Sequence, residues 1–360
     1  MSENKIIVIG GGLIGLAIAI ELKLRSASVT VLSRDFHEAS AHVAAGMIAP
    51  EAEAIPPSPM LDLCLQSRAL YPQWTNKLES LTGLSTGYWP CGILAPVAHD
   101  HRHRYQFTSP DAQWLDREAI DQHQSGLGED IVGGWWFPQD AQVDNRRSLA
   151  RVLQVAAQDL GVEICEGVNV EQIDHNQRSE VTGVETNQGV VQGSHYILAT
   201  GAWSGKLLPV PVYPKKGQLL SVRVPSTAQS RLPLKQVLFG DHLYLVPRRD
   251  GLIVIGATSE DVGFTPHNTP QGVQQLLTQA IKLYPALKDF PIQEFWWGYR
   301  PTTPDELPIL GSSPFTNLTL AVGHHRNGIL LAPITAKLIA DLVVEQKLDP
   351  LLSHFSWERF

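Results

Sequence analysis

The run Lys5–Ile9 (KIIVI) passes directly into Gly10-Gly11-Gly12-Leu13-Ile14-Gly15, and this junction restricts the fold more than any other feature of the chain. A short continuous apolar run suits a strand buried on both faces, as parallel sheets require. The spacing predicts a helix over Leu13–Arg25 and a second strand over Ser28–Leu32 (SVTVL), completing a βαβ unit. In Gly10-x-Gly12-x-x-Gly15 the first glycine permits a tight turn and the second lets backbone approach a pyrophosphate. The third allows close helix–strand packing, and the helix N-terminus stabilises phosphate charge. The N-terminal segment therefore reads as a dinucleotide site.

The rest of the chain alternates in texture. Ser58-Pro59 is an N-cap followed by proline at the first helical position, predicting a helix over Met60–Leu81 closed by Gly83. Between Tyr88 and Phe137 short β-rich pieces replace it (GILAPV, IVGGWWF). Asp144 or Asn145 then caps a helix through Leu160, with Gly161 beyond its end, and His195–Thr200 (HYILAT) is a further buried strand. From Pro211 to about Trp297 strands dominate, with Arg249-Asp250-Gly251 as a hairpin turn; Leu318–Val322 and a helix over Ile329–Gln346 finish the chain. The expected fold is α/β: a doubly wound, Rossmann-like dinucleotide-binding domain from residues 1–85, 143–205 and 301–360, and a substrate domain with a mainly antiparallel sheet from 86–142 and 206–300.

Composition removes several function classes. The 360 residues carry 28 Lys and Arg against 36 Asp and Glu, so no basic excess exists to neutralise a nucleic acid. Cys64, Cys91 and Cys165 form no CxxC pair or disulfide framework, which suits a reducing compartment and a cytoplasmic location. The apolar run Ile6–Ile20 is interrupted by glycines and falls short of the ~20 residues that span a bilayer, and no cleavage pattern follows it. We expect no membrane or nucleic-acid partner. His99, His101 and His103 lie in a polar loop and are read as solvent-facing, so no metal is assigned; the pairs Trp135-Trp136 and Trp296-Trp297 are read as packing residues.

The cofactor can be narrowed. After the second strand, Ser33-Arg34-Asp35 stands where a ribose-binding acid is usual: Arg34 suits the 2′-phosphate of NADP, while Ser33 or Asp35 suits a ribose hydroxyl. Ala199-Thr200-Gly201 after a buried strand is similar to the second glycine turn of FAD-binding folds. Gly323-His324-His325-Arg326-Asn327-Gly328 opens a long helix whose N-terminus would stabilise negative charge on a reduced flavin.

Five blocks carry a resemblance: Ala44-Ala45-Gly46-Met47, Asp241–Arg248 (DHLYLVPR), Gly256-Ala257-Thr258, Trp297-Gly298-Tyr299-Arg300-Pro301 and Gly323–Leu330 (GHHRNGIL). In order and spacing they resemble the glycine oxidases of thiamine biosynthesis, within the D-amino acid oxidase family, over almost the whole chain. The resemblance implies a non-covalent FAD enzyme that oxidises the Cα–N bond of glycine, sarcosine or small D-amino acids, passes electrons to molecular oxygen and assembles as a homo-oligomer, a tetramer in the family. It implies that Arg300 holds the substrate carboxylate, that Tyr244 adds a hydroxyl to it, and that Arg326, His242 and Met47 line the pocket. It implies FAD contacts at Gly10, Gly12, Leu13, Ile14 and Gly15, at Ser33 and Arg34, at Ala45, Gly46 and Met47, and at Val170. Further contacts are implied at Thr200, Gly201 and Trp203, at Arg300, and at His325, Arg326, Asn327, Gly328, Ile329 and Leu330. Where the family has methionine after Gly-Ala-Thr, this chain has Ser259, which implies a wider or more polar pocket. Independently of the family, a planar guanidinium binds a carboxylate bidentately and fixes its orientation as a lysine point charge does not. The alternatives are a D-amino acid dehydrogenase with another electron acceptor, an FAD-dependent RNA-modifying enzyme and a non-catalytic flavin binder; the charge balance opposes RNA, and Arg300 with Tyr244 opposes an inert binder.

Overall fold

The computed structural model describes residues 4–98, 111–225, 233–241 and 243–360; His99, His101, His103 and His242 lie outside them. Two large sheets organise the chain. The first has six strands in the order Ile309–Ser312, Leu318–Val322, His195–Leu198, Lys5–Ile9, Ser28–Ser33, Glu163–Glu166, parallel except for the first pair. Lys5–Ile9 is central, pairing with Ser28–Ser33 on one side and His195–Leu198 on the other, which explains its unbroken apolar pattern.

Helices Leu13–Leu24, Pro59–Thr82, Ala150–Asp159 and Gly328–Val344 cover one face of this sheet and share one core with it. The predicted signals act as read: Ser58 Oγ accepts from the Leu61 N–H, and Gly83 closes the helix at φ 67°. Asp144 caps a π-helical turn, Asn145–Leu149, that leads into the third helix. A three-stranded antiparallel sheet, Val170–His175, Val181–Thr186 and Gly189–Val191, packs in the core on the other face. The stretch His325–Val344 is long and apolar enough to cross a membrane, but most of it is buried inside the protein as a core helix. Pro333 within this helix cannot donate to the Ile329 carbonyl, and the Tyr71 hydroxyl donates to it instead. The Ser67 hydroxyl donates to the neighbouring Leu330 carbonyl at 2.6 Å. Two side chains of the Pro59–Thr82 helix thereby fix where the last helix begins.

The second sheet has eight strands in the order Ile292–Thr302, Tyr213–Arg223, Leu252–Gly256, Leu243–Pro247, Val237–Gly240, Ile93–Ala98, Ile131–Phe137, Gln113–Asp116. It is antiparallel except between Val237–Gly240 and Ile93–Ala98. One face packs on helices, chiefly Pro270–Leu283, and the other turns toward the parallel-sheet half through Ala45, Ala49 and Ala52. The helix Pro270–Leu283 interrupts a stretch whose sequence reads as strand-dominated. It is capped by Thr269 and begins on proline, the same grammar as Ser58-Pro59.

Candidate active site

A cavity of about 760 Å³ lies between the two large sheets, within the size range of small-molecule sites. Its nucleotide end is built by the glycine turn. Gly10 sits at φ 115°, and a Cβ there would meet the Ala199 carbonyl oxygen at 2.5 Å. A Cβ on Gly15 would sit 1.9 Å from the Gly10 oxygen, so this glycine serves helix–strand packing and does not line the cavity.

Helix caps separate structural from ligand-facing termini. Ser58, Asp116 and Thr269 cap their helices with side chains. The two helices that open on the cavity, Leu13–Leu24 and Gly328–Val344, have no side-chain cap and no acid in the first turn. Uncapped N–H groups facing a cavity are suited to phosphate or to an electron-rich ring. With the glycine backbone between them, these termini fit FAD.

Of the sequence-derived cofactor contacts, Gly10, Gly12, Leu13, Ile14, Ser33, Arg34, Ala45, Gly46, Met47, Val170, Thr200, Gly201 and Trp203 line the cavity, as do Arg300 and His325–Ile329. Leu330 does not: its side chain is buried in the helical core. Arg34 pairs with Glu38 and lies 4.6 Å over the Trp203 ring. Burial lowers the His324 imidazole to about 3; burial, then the charges of Arg300, Arg326 and Lys215, lower His325 to about 3, so both rings are neutral near pH 7.

At the other end Arg300 extends from the strand Ile292–Thr302 across its neighbour. Its Nη1 donates to the Thr258 carbonyl at 3.0 Å and to the Lys216 carbonyl at 3.4 Å, and the guanidinium lies beside the Tyr244 hydroxyl. Gly217 makes this possible, because a Cβ there would lie 2.7 Å from Arg300 Nη1. Gly256 gives Tyr244 the same freedom, a Cβ there falling 2.7 Å from the hydroxyl. Burial pulls the Arg300 guanidinium below its ordinary value and pushes the Tyr244 hydroxyl above it. Among the described residues no carboxylate forms an ion pair with Arg300. Ser259 and Met47 also line the cavity.

Glu53 was not singled out by the sequence, yet it lines the cavity, with Oε1 4.0 Å from Arg326 Nε. Burial raises its carboxyl above the ordinary range, while Arg326 and Arg300 pull it down. It sits in an irregular segment without periodicity, so no pattern marked it. Its turn is anchored from outside: Asp140 accepts from the Ala52 N–H at 2.8 Å and from Arg68 at 2.7 Å, and Arg68 also pairs with Glu51 at 2.5 Å. Arg326 is half exposed, whereas Arg300 is part-buried. Among the described residues no cluster of His, Cys, Asp or Glu could hold a metal ion.

This combination defines a flavoprotein oxidoreductase. A family model described as FAD dependent oxidoreductase (DAO) matches residues 5–342, and the chain belongs to that family, with FAD as its cofactor. The NADP option left open by Arg34 is thereby set aside. A bifunctional protein ThiO/ThiG of Trichormus variabilis is 63% identical over 99% of this chain and 55% of its own, so the chain spans about half the length of such relatives. A glycine oxidase of Bacillus subtilis is 30% identical over 95% of this chain and 94% of its own. The crystal structure of glycine oxidase from Geobacillus kaustophilus is similar with a TM-score of 0.90 at 33% identity, covering 99% of both chains.

Proposed function

We propose that the chain oxidises the Cα–N bond of glycine and other small amines or amino acids, such as sarcosine and small D-amino acids. With glycine the products are the imine, then glyoxylate and ammonia on hydrolysis, with hydrogen peroxide from oxygen; other substrates give the corresponding 2-oxo acid and amine. The observation that carries this reading is Arg300: a part-buried guanidinium at the end of the cavity, held by two carbonyls beside the Tyr244 phenol, with no ion-paired carboxylate among the described residues. A buried cation without an anionic partner is costly, and a substrate carboxylate supplies that partner.

In this reading the Arg300 fork takes the carboxylate, Tyr244 adds a hydroxyl, and together they set which face of the α-carbon meets the ring. Bound FAD supplies the hydride acceptor. Arg300 and Arg326 outweigh Glu53, so the cavity favours the substrate as a carboxylate with a neutral amine, the form able to release hydride. None of the three cysteines lines the cavity, which supports non-covalent FAD. The ThiO/ThiG relatives and the sequence resemblance support use of the imine in thiazole-ring synthesis; the resemblance supports a homo-oligomer, and the free cysteines support a cytoplasmic location. The division into an FAD-binding part (1–85, 143–205, 301–360) and a substrate part (86–142, 206–300) is supported by the two sheets, with Thr302 still ending a strand of the second.

The test is peroxide release by purified protein across glycine, sarcosine and D-alanine, run beside an anaerobic assay with a dye as electron acceptor. Peroxide in step with substrate loss supports the oxidase reading. Turnover only with the dye points to the dehydrogenase, and no turnover in either assay overturns the proposal.

A further inference from the structure

From the turn Ser40–His42 to the short strand Met47–Ile48, the carbonyls of Ala41, Val43, Ala44, Ala45 and Gly46 are all taken by protein donors. Asn145 Nδ2 donates to the Ala41 carbonyl and, at 2.6 Å, to that of Ala44. Trp296 Nε1 donates to Val43 at 2.8 Å, Arg248 Nη2 to Ala45 at 2.7 Å, and the Val143 N–H to Gly46 at 2.8 Å. A planar trans peptide directs its N–H opposite to its carbonyl. Holding the carbonyls of Ala44, Ala45 and Gly46 on the protein side turns the N–H groups of Ala45, Gly46 and Met47 the other way. These three residues line the cavity, and among the described residues no protein acceptor takes the Ala45 or Gly46 N–H. Gly46 is required at this point: it lies at φ 83°, and a Cβ would fall 2.0 Å from the Val143 oxygen.

Two of the holding groups come from the antiparallel sheet. Trp296 lies on its edge strand, and Arg248 directly follows the strand Leu243–Pro247. Arg248 is fully enclosed, bonded also to the Gln142 side chain, with Asp144 3.7 Å from its Nε as the balancing charge. Ala45 and Met47 pack with Tyr244 and Trp296, which places the row of amides at the Arg300 end of the cavity rather than at the phosphate end.

We propose that Arg248, Asn145 and Trp296 are positioning residues that aim these amides at acceptor atoms of the flavin ring. Preset donors favour the electron-rich reduced ring over the oxidised one, so the substrate sheet acts through this loop on the reduction potential of a cofactor bound mainly by the other sheet.

The experiment uses the holoenzyme and reads midpoint potential, flavin absorbance and FAD dissociation constant for Trp296→Phe, Arg248→Met and Arg248→Lys. Trp296→Phe removes the indole N–H and keeps a smaller aromatic ring, and it decides the matter alone if Arg248→Met does not fold. The expected result is a more negative potential and an altered flavin spectrum, with FAD held roughly three- to tenfold less tightly per lost donor. Arg248→Lys should return both toward the parent values, because an ammonium can still donate to the Ala45 carbonyl. A Trp296→Phe holoenzyme with unchanged potential and spectrum, even if less heat-stable, overturns the proposal and leaves these side chains as packing alone.

Discussion

Arg300 is the residue on which the proposed chemistry turns, and the absence of an ion-paired carboxylate among the described residues makes its contribution measurable. A charge-assisted hydrogen bond contributes on the order of 1.5–3 kcal/mol, so Arg300→Ala should raise KM for glycine by roughly ten- to a hundredfold with FAD still bound. Arg300→Lys should restore charge without the bidentate geometry and recover only part of the loss. Steady-state kinetics beside the flavin absorbance check both; unchanged KM in Arg300→Ala would transfer the carboxylate to Arg326. Ser259 lines the same cavity where the family pattern has methionine. Ser259→Met should shift relative kcat/KM from sarcosine and D-alanine toward glycine, by about 1–3 kcal/mol per methylene-sized change. An unaltered ranking would mean that residue 259 does not face the substrate. At this scale Arg300 and Tyr244 were legible because they sit in motifs on alternating strands, whereas Glu53 was not. Its position comes from long-range tethers through Asp140 and Arg68, which no local spacing records.

Among the elements, the buried parallel strands and the capped helices were readable because each carries its own signal: unbroken apolar runs, Ser58-Pro59, Gly83 and Gly161. The helix Pro270–Leu283 carried the same cap and proline. Its buried face is only Gly272, Leu276, Ala280 and Leu283, and the strand-rich sequence around it hid the pattern. The sheet Val170–Val191 is half exposed, so its polar strands read as connection. His195, opening a strand of the parallel sheet, offers a test at this level. Its Nε2 lies 2.8 Å from Thr319 Oγ1, and burial lowers its pKa to about 4. The folded value lies below the unfolded value near 6.5, so the unfolded chain binds the proton first. The stability contributed by the neutral ring is present above pH 6.5 and lost as pH falls toward 4, with a slope of up to about 1.4 kcal/mol per pH unit. His195→Gln should flatten the decline measured by chemical denaturation between pH 7 and 4.5. An identical slope in both proteins would contradict a buried neutral His195.

At the scale of the whole molecule, two sheets of different topology meet along one cavity. One contributes uncapped helix N-termini and glycine backbone, the other a guanidinium fork and a phenol. Purified protein should be yellow, and acid precipitation should release FAD into the supernatant; flavin retained in the pellet would contradict non-covalent binding. The most direct test of the central claim is anaerobic mixing of the holoenzyme with glycine, following the flavin absorbance. The account predicts that the yellow colour bleaches without oxygen, that admitting oxygen restores it with release of peroxide, and that Arg300→Ala needs far more glycine for the same bleaching. A flavin that stays oxidised in saturating glycine, sarcosine and D-alanine would contradict it.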